Sequence, residues 1–300
     1  MRKKRGNPNR IKLSKNDFIY QIIIHAIVGL VTLACLFPFI YVVGMSLTSQ
    51  GEMVEKSYFV LFPERPTLRG YQMILRQPNF FNSLLVSVSR TILGTMASLV
   101  LVIPGGYILS KQDLPGRKAL MMFFIITMIL SGGLIPSYML MKELRLLDTF
   151  WVYIIPAMGG TFNMLIIKLF VENMPDSIME SADLDGATEM QKMLYIAMPL
   201  LVPTIAALSL FAAVGQWNSW FDAMLYIQNA KLHPLSLVVR NLMFSATIQD
   251  KSGNLTMYEK ATTEGMKMAT IVLAAIPILC VYPFLQKYFI YGVYTGSVKG

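Results

Sequence analysis

The chain has 300 residues, 55% of them hydrophobic and only 14% charged, with a mean hydropathy of +0.54. A soluble domain is nearer a quarter charged, so this composition excludes an ordinary soluble protein and indicates an all-α integral membrane protein. The net charge of +9 is no nucleic-acid signature, because Arg2, Lys3, Lys4, Arg5, Arg10, Lys12 and Lys15 gather directly before an apolar run, where they orient a membrane span.

Residues 1–17 therefore read as a cytoplasmic basic tail, and the first span as 18–47. That run exceeds the roughly twenty residues a bilayer needs, so a tilt or a bend near Pro38 is expected. It is also longer than a signal-peptide apolar region and no small-x-small site closes it, so it is expected to be retained. His25 reads as interfacial, with a proton relay as the alternative. Cys35 and Cys280 lie in apolar spans, are expected to be buried, and form no disulfide framework. The segment 48–80, rich in charge and Pro, suits an external loop with a short amphipathic piece at 71–76.

Span two, 83–110, is rich in Ser, Thr, Gly and Ala, which let membrane helices approach closely; it is expected to end at Pro104-Gly105-Gly106. The loop 111–118 carries Lys111, Arg117 and Lys118, which places it in the cytoplasm. Span three, 119–141, contains Ser131-Gly132-Gly133-Leu134-Ile135-Pro136, a break or bend. Span four, 150–170, opens with the interfacial aromatics Trp151 and Tyr153.

An acidic island follows. Asp176, Glu180, Asp183, Asp185 and Glu189 lie between Pro175 and Lys192, and each acid at a bilayer centre costs about 2.5–3.5 kcal/mol, so the segment must sit in water. Ser177-x-x-Glu180 and Thr188-x-x-Gln191 are capping-box patterns, and Gly186 is placed to stop the first of two short helices. A first helix of about two turns is unstable alone, so its apolar face of Ile178, Met179 and Ala182 is expected to dock.

Span five, 197–222, is bent at its start by Pro199 and Pro203. The segment 223–267 reads as a partly structured external loop with a helix-like patch at 235–244. Span six, 268–291, returns the chain inside, giving six spans with both termini cytoplasmic.

Glu180-Ser181-Ala182, three residues, Gly186, nine residues and Ile196-x-Met198-Pro199 resemble the EAA loop of ABC-importer permeases. Ser181 for Ala and Met198 for Leu are the departures. The resemblance implies a type I (MetI-like) permease domain over 18–300, with a coupling helix at about 177–188 that enters a groove on a cytoplasmic ATPase. It implies coupling roles for Ser177, Glu180, Ser181, Ala182, Asp185, Gly186 and Ala187. The implied partners are a homologous permease, two ATPase subunits, an extracellular solute-binding protein and membrane lipid in a bacterial cytoplasmic membrane. ATP and Mg would sit on the ATPases, with no cofactor on this chain. Ser131–Pro136, Trp217–Asp222 and the ending from Gln286 to Gly300 are similar to the carbohydrate-uptake branch, its LplC-like members in particular, which implies an oligosaccharide as cargo.

No catalytic constellation, metal-ligand spacing or Walker motif is visible, so the chain reads as a transport subunit and not an enzyme. Polar groups within the spans are the candidates for a substrate path: Asn163, Gln216, Trp217, Asn218 and Trp220. Aromatic faces stack on sugar rings and amides bond hydroxyls. The competing reading makes the tryptophans belt anchors and Asn163 an interhelical hydrogen-bond partner. Arg90 either snorkels to the interface or lines the path. A secondary transporter would show paired intramembrane carboxylates or an internal repeat, and neither is found; a membrane-anchored scaffold or receptor would not need small-residue interior helices.

Overall fold

Helices and closed barrels are the structures that satisfy every backbone N–H and C=O inside hydrocarbon, and the computed structural model is helical. It describes residues 15–130, 132–251 and 256–296. Among them the only β pairing is an isolated bridge from Thr48 to Pro66. The basic residues Arg2 to Lys12, Ser131 and the tail Lys299-Gly300 lie outside the described residues.

The helices run α1 (Lys15–Leu47), α2 (Gln50–Glu55), α3 (Arg69–Leu75), α4 (Phe80–Ser110), α5 (Arg117–Ile129) and α6 (Leu134–Glu143). Two 3₁₀ turns, Phe150–Tyr153 and Pro156–Met158, precede α7 (Thr161–Glu172). Then come α8 (Asp176–Leu184), α9 (Glu189–Gln191), a π-helical turn Lys192–Ala197, α10 (Met198–Asn218), α11 (Phe221–Tyr226), α12 (Leu235–Lys251) and α13 (Met257–Gly296). Five helical stretches among the described residues are long and apolar enough to cross a membrane, and the pair α5–α6, bent by 113°, raises this to six.

One compact unit comprises the chain up to Gly70 together with Thr256–Ala269. Met45, Met53, Val60 and Ala261 form its core. Gly44 is required where it stands, because a Cβ there would run into the Leu61 carbonyl. Glu52, only 4% exposed, accepts from the Glu64 and Arg65 backbone N–H groups at 2.8 and 3.1 Å and from Lys56 Nζ at 2.9 Å. The two backbone donors hold the loop after α2 to that helix. The Glu64 N–H, more than any other group, stabilises the Glu52 carboxylate; burial opposes it, and Lys56 and Arg65 add to it, leaving the pKa below the ordinary 4.5.

The second unit comprises Tyr71–Leu255 and Thr270–Gly300, and α4 is its spine. Small residues let neighbours approach: a Cβ on Gly106 would lie 2.6 Å from the Ile167 Cβ, and one on Gly94 would lie 2.9 Å from Gln216 Cδ. Toward Ser110, α4 packs against α7 and α10 through Val102, Tyr107, Ile167, Val171, Met193, Ala197 and Leu201. Toward Phe80, Val86 joins Met141, Val152, Tyr153, Ala223, Ile227 and Leu237. These are called the handle end and the far end below.

Several expectations change. Pro104-Gly105-Gly106 does not end span two: α4 continues to Ser110, and its glycines admit Met164 and Ile167 of α7. Cys35 and Cys280 are exposed, not buried. Arg90 does not snorkel, because it has protein partners at depth. It is 1% exposed, pairs with Asp222 at 2.5 Å, donates to Gln216 Oε1 at 3.1 and 3.2 Å and to the Ser219 carbonyl at 3.2 Å, and lies 4.2 Å from the Tyr153 ring centroid. Asp222 also accepts from Ser219 Oγ and the Ala223 N–H, so the buried charge is fully paired.

Breaking a buried ion pair from one side strands the other charge at a cost of about 3–5 kcal/mol. Arg90→Met is expected to lower the thermal midpoint of the detergent-solubilised protein, and Arg90→Met with Asp222→Asn to recover most of that loss. The depressed pKa of Glu52 gives a second expectation. Its stabilisation is present above the unfolded value near 4.5 and is lost as pH falls through the lower folded value. Amides of the Lys56–Arg65 loop should lose protection, measured against their intrinsic exchange rate, in that acid window, and Glu52→Gln should abolish the pH dependence of the protection.

Candidate functional site

The acidic island folds as two short helices around a glycine turn. Pro175, with φ −60° and ψ 126°, enters α8 and is its N-cap residue, with no side-chain cap. The first capping box therefore does not form: Ser177 lies inside the helix, where its carbonyl accepts from Ser181 Oγ at 2.7 Å. The second does form. Thr188 N–H donates to Gln191 Oε1 at 2.8 Å and Gln191 N–H returns to Thr188 Oγ1 at 3.3 Å.

Between them Gly186 adopts φ +74°, a left-handed conformation that glycine reaches without steric cost. The Gly186 N–H bonds the Asp183 carbonyl at 3.0 Å and the Ala187 N–H bonds the Ala182 carbonyl at 2.9 Å. That pair is a Schellman motif. It reverses the chain within two residues and fixes the angle between α8 and α9.

The faces of α8 divide sharply. Ala182 is 7% exposed and Met179 packs against the handle-end core. Ile178, expected on the docked face, is 37% exposed. Ser177, Glu180, Ser181 and Asp185 are exposed, Ala187 is half-buried, and Leu184 is 91% exposed. Sequence reading missed Leu184, whose signal is a large apolar residue in an otherwise charged turn. Leu184 thus stands bare on the same helix as four exposed polar residues, Ser177, Glu180, Ser181 and Asp185.

Lys192 ties this handle to the bundle. Its side chain is 5% exposed and its ammonium meets Asp183 of α8 at 2.5 Å and also pairs with Glu189. Glu189 in turn takes Lys111 at 2.8 Å and the Tyr107 hydroxyl at 2.8 Å, both at the end of α4. Burial works to lower the Lys111 pKa, but its bonds to Glu189 and Tyr107 outweigh this and hold it above its ordinary value. On the entry side Glu172, closing α7, pairs with Arg117 of α5 and with Lys168 at 2.6 Å. The handle is thus clamped where the chain enters and where it leaves.

The π turn completes the linkage. Pro199 has no N–H to give the carbonyl four residues back, and its ring crowds that carbonyl. The wider turn relieves the conflict, with the Met198 N–H bonding Met193 O, five residues back.

The residues proposed for a substrate path do not gather at one point. Gln216 belongs to the Arg90 cage. Trp217 is buried, with its indole N–H on the Ala274 carbonyl at 3.1 Å, so it joins α10 to α13 and is no surface anchor. Asn218 is exposed and bonds its own helix at Val214. Asn163 is half-buried near Gly160 and Ser98, with no hydrogen bond to another helix among the described residues. Trp220 is half-buried beneath Arg240. No group of three His, Cys, Asp or Glu among the described residues could hold a metal ion.

Residues 78–293 match the family described as binding-protein-dependent transport system inner membrane component. Protein LplC of Bacillus subtilis (strain 168) is 39% identical over 273 residues, covering 91% of each chain. The polygalacturonan/rhamnogalacturonan transport system permease protein YtcP of the same organism is 38% identical over 283 residues, covering 94% of this chain and 99% of that protein. Among solved structures, a bacterial ABC transporter involved in the import of the acidic polysaccharide alginate contains a chain that superposes with a TM-score of 0.81 at 28% identity. The match covers 92% of this chain and 99% of that one. The acidic handle, the small-residue spine and these likenesses agree: the chain belongs to the inner-membrane components of binding-protein-dependent transport systems, the permease subunits of ABC importers.

Proposed function

We propose that the chain is one of two homologous permeases of an oligosaccharide importer, and that α8 is the helix by which cytoplasmic ATPases drive it. The observation that carries this reading is a short helix with one face docked, Leu184 bare on the other, and a buried lysine that links it to Glu189, which pairs at the end of α4. In this reading the handle and both termini lie in the cytoplasm. Ser177, Glu180, Ser181, Leu184 and Asp185 face a groove on the ATPase; Ala182, Gly186 and Ala187 set the helix position. ATP and Mg are bound by the ATPases.

Oligosaccharide as cargo is supported by the names of the relatives, two of which concern polymers of acidic sugars. A solute-binding protein delivers the cargo at the far end, where α11 and the start of α12 meet it; the remainder of the 223–267 segment is not the external loop expected, because α13 begins at Met257 and is apolar enough to cross a membrane from there. When the ATPases close, they push on α8. The Asp183–Lys192–Glu189–Lys111 chain of ion pairs carries that displacement to α4 and α10, which turn together because their contact is close-packed. Asn163, Asn218 and Trp220 are the path residues this reading retains; Gln216, Trp217 and Arg90 hold the bundle.

Four substitutions test the coupling. Gly186→Val forces a β-branched residue into a left-handed conformation costing about 1–2 kcal/mol, and Ala182→Phe pushes α8 off its seat. Both are expected to leave the subunit inserted while the assembled transporter hydrolyses ATP without uptake. Lys192→Met should cut uptake per ATP at least tenfold, because Asp183 and Glu189 lose their common partner, whereas Lys192→Arg should retain most coupling. Wild-type uptake per ATP in Gly186→Val and Lys192→Met proteoliposomes would refute the coupling role.

A further inference from the structure

At the far end a half-buried cation, Arg240, has no carboxylate partner among the described residues, whereas Lys142, Arg145 and Lys231 there are exposed. Arg240 is on α12, and its guanidinium stacks on Trp220 with Cζ 4.2 Å from the ring centroid and 5.7 Å from that of Phe244. Asp222 is taken by Arg90, and Asp148 accepts the backbone N–H groups of Gln228 and Asn229 at 3.0 and 2.8 Å. Arg90 and Arg240 therefore differ in kind: Arg90 is sealed and neutralised, and Arg240 has aromatic rings beside it and no carboxylate among the described residues.

That arrangement has a chemical consequence. A guanidinium over an aromatic ring is attracted by the ring's π face and still carries five N–H donors that the ring does not satisfy. Donors left half out of water without an acceptor cost free energy, and the acceptor that fits the planar fork with two parallel bonds is a carboxylate. The contact with Trp220 favours one placement of the fork, so less side-chain freedom is lost when an anion arrives. Asn218, two residues before Trp220, offers an exposed amide on the same chain segment. An amide there suits hydroxyls, and a stacked arginine suits the acid of a hexuronate.

We propose that Arg240, positioned by Trp220, is a carboxylate subsite that selects uronate-bearing oligosaccharides at the entrance of the permease. The inference rests on the oligosaccharide-import reading above and adds to it the charge of the cargo and the residue that reads it.

The test uses the full transporter in proteoliposomes, with its partner permease, ATPases and binding protein. The probes are galacturonate oligosaccharides and the same oligosaccharides methyl-esterified, which removes the charge and keeps the sugar. Arg240→Met is expected to lower the ratio of acidic to esterified uptake about tenfold, the equivalent of about 1.4 kcal/mol, with Arg240→Lys between it and wild type. Two results overturn the inference. One is an unchanged ratio in Arg240→Met. The other is an equal fall for both probes, which would assign Arg240 to packing or to contact with the binding protein. If the wild-type assembly moves neither probe nor any neutral oligosaccharide, the cargo reading itself falls and takes the subsite with it. Transport of neutral oligosaccharides alone would remove the subsite and leave that reading standing.

Discussion

A buried lysine between two carboxylates is the contact on which the handle depends. Lys192 is 4% exposed, and an ammonium taken out of water to that extent is tolerable only when it is paired and hydrogen-bonded. Asp183 and Glu189 supply the pairing from the two sides of the glycine turn, so the turn and the ion pairs enforce one another. The Gly186 turn and the packing of Met179 and Ala182 seat α8; the lysine adds a chain of ion pairs from Asp183 through Glu189 to Lys111 and Tyr107 at the end of α4. Force can be carried through such a junction because its members have few alternative partners.

The same contrast of paired and unpaired charge organises the far end. Arg90 is stabilised by a bidentate carboxylate, an amide, a carbonyl and a tyrosine ring, and these contacts gather α4, α10, α11 and the 3₁₀ turn of Tyr153 around one point. Tyr153 passes the constraint on by donating to the Leu232 carbonyl at 2.9 Å. The Leu235 N–H, bonded to Ser87 Oγ at 2.7 Å, fixes the start of α12 against α4. These bonds seat the start of α12, the helix that carries Arg240, against α4.

What was legible in the sequence was local. The glycine at position 186, the Thr188–Gln191 box and the small residues of α4 each act over a few residues, and the structure uses all three. The acids of the island were legible because lipid forbids them. The misses have two physical origins. The Ser177–Glu180 box was outcompeted by Pro175, whose fixed φ and extended ψ start the helix one residue before Ser177. The Arg90–Asp222 pair joins residues 132 apart in sequence, and no spacing rule reaches that far, so Arg90 read as a solitary charge near a membrane surface. Pro104 misled for a related reason: a proline inside a close-packed bundle need not end a helix when neighbouring helices brace it. Leu184 was invisible as a contact because exposure is decided by which face of α8 the bundle occupies.

Cross-linking of the assembled transporter tests the central claim most directly. With Cys35 and Cys280 replaced, a single cysteine at Ser181 in the otherwise intact complex would be offered a short bifunctional reagent and a membrane-impermeant maleimide. The account predicts a covalent link from Ser181→Cys to an ATPase subunit, with maleimide reacting only when the cytoplasmic face is open to it. A cysteine labelled from outside the cell, with no link to any neighbouring subunit, would contradict it.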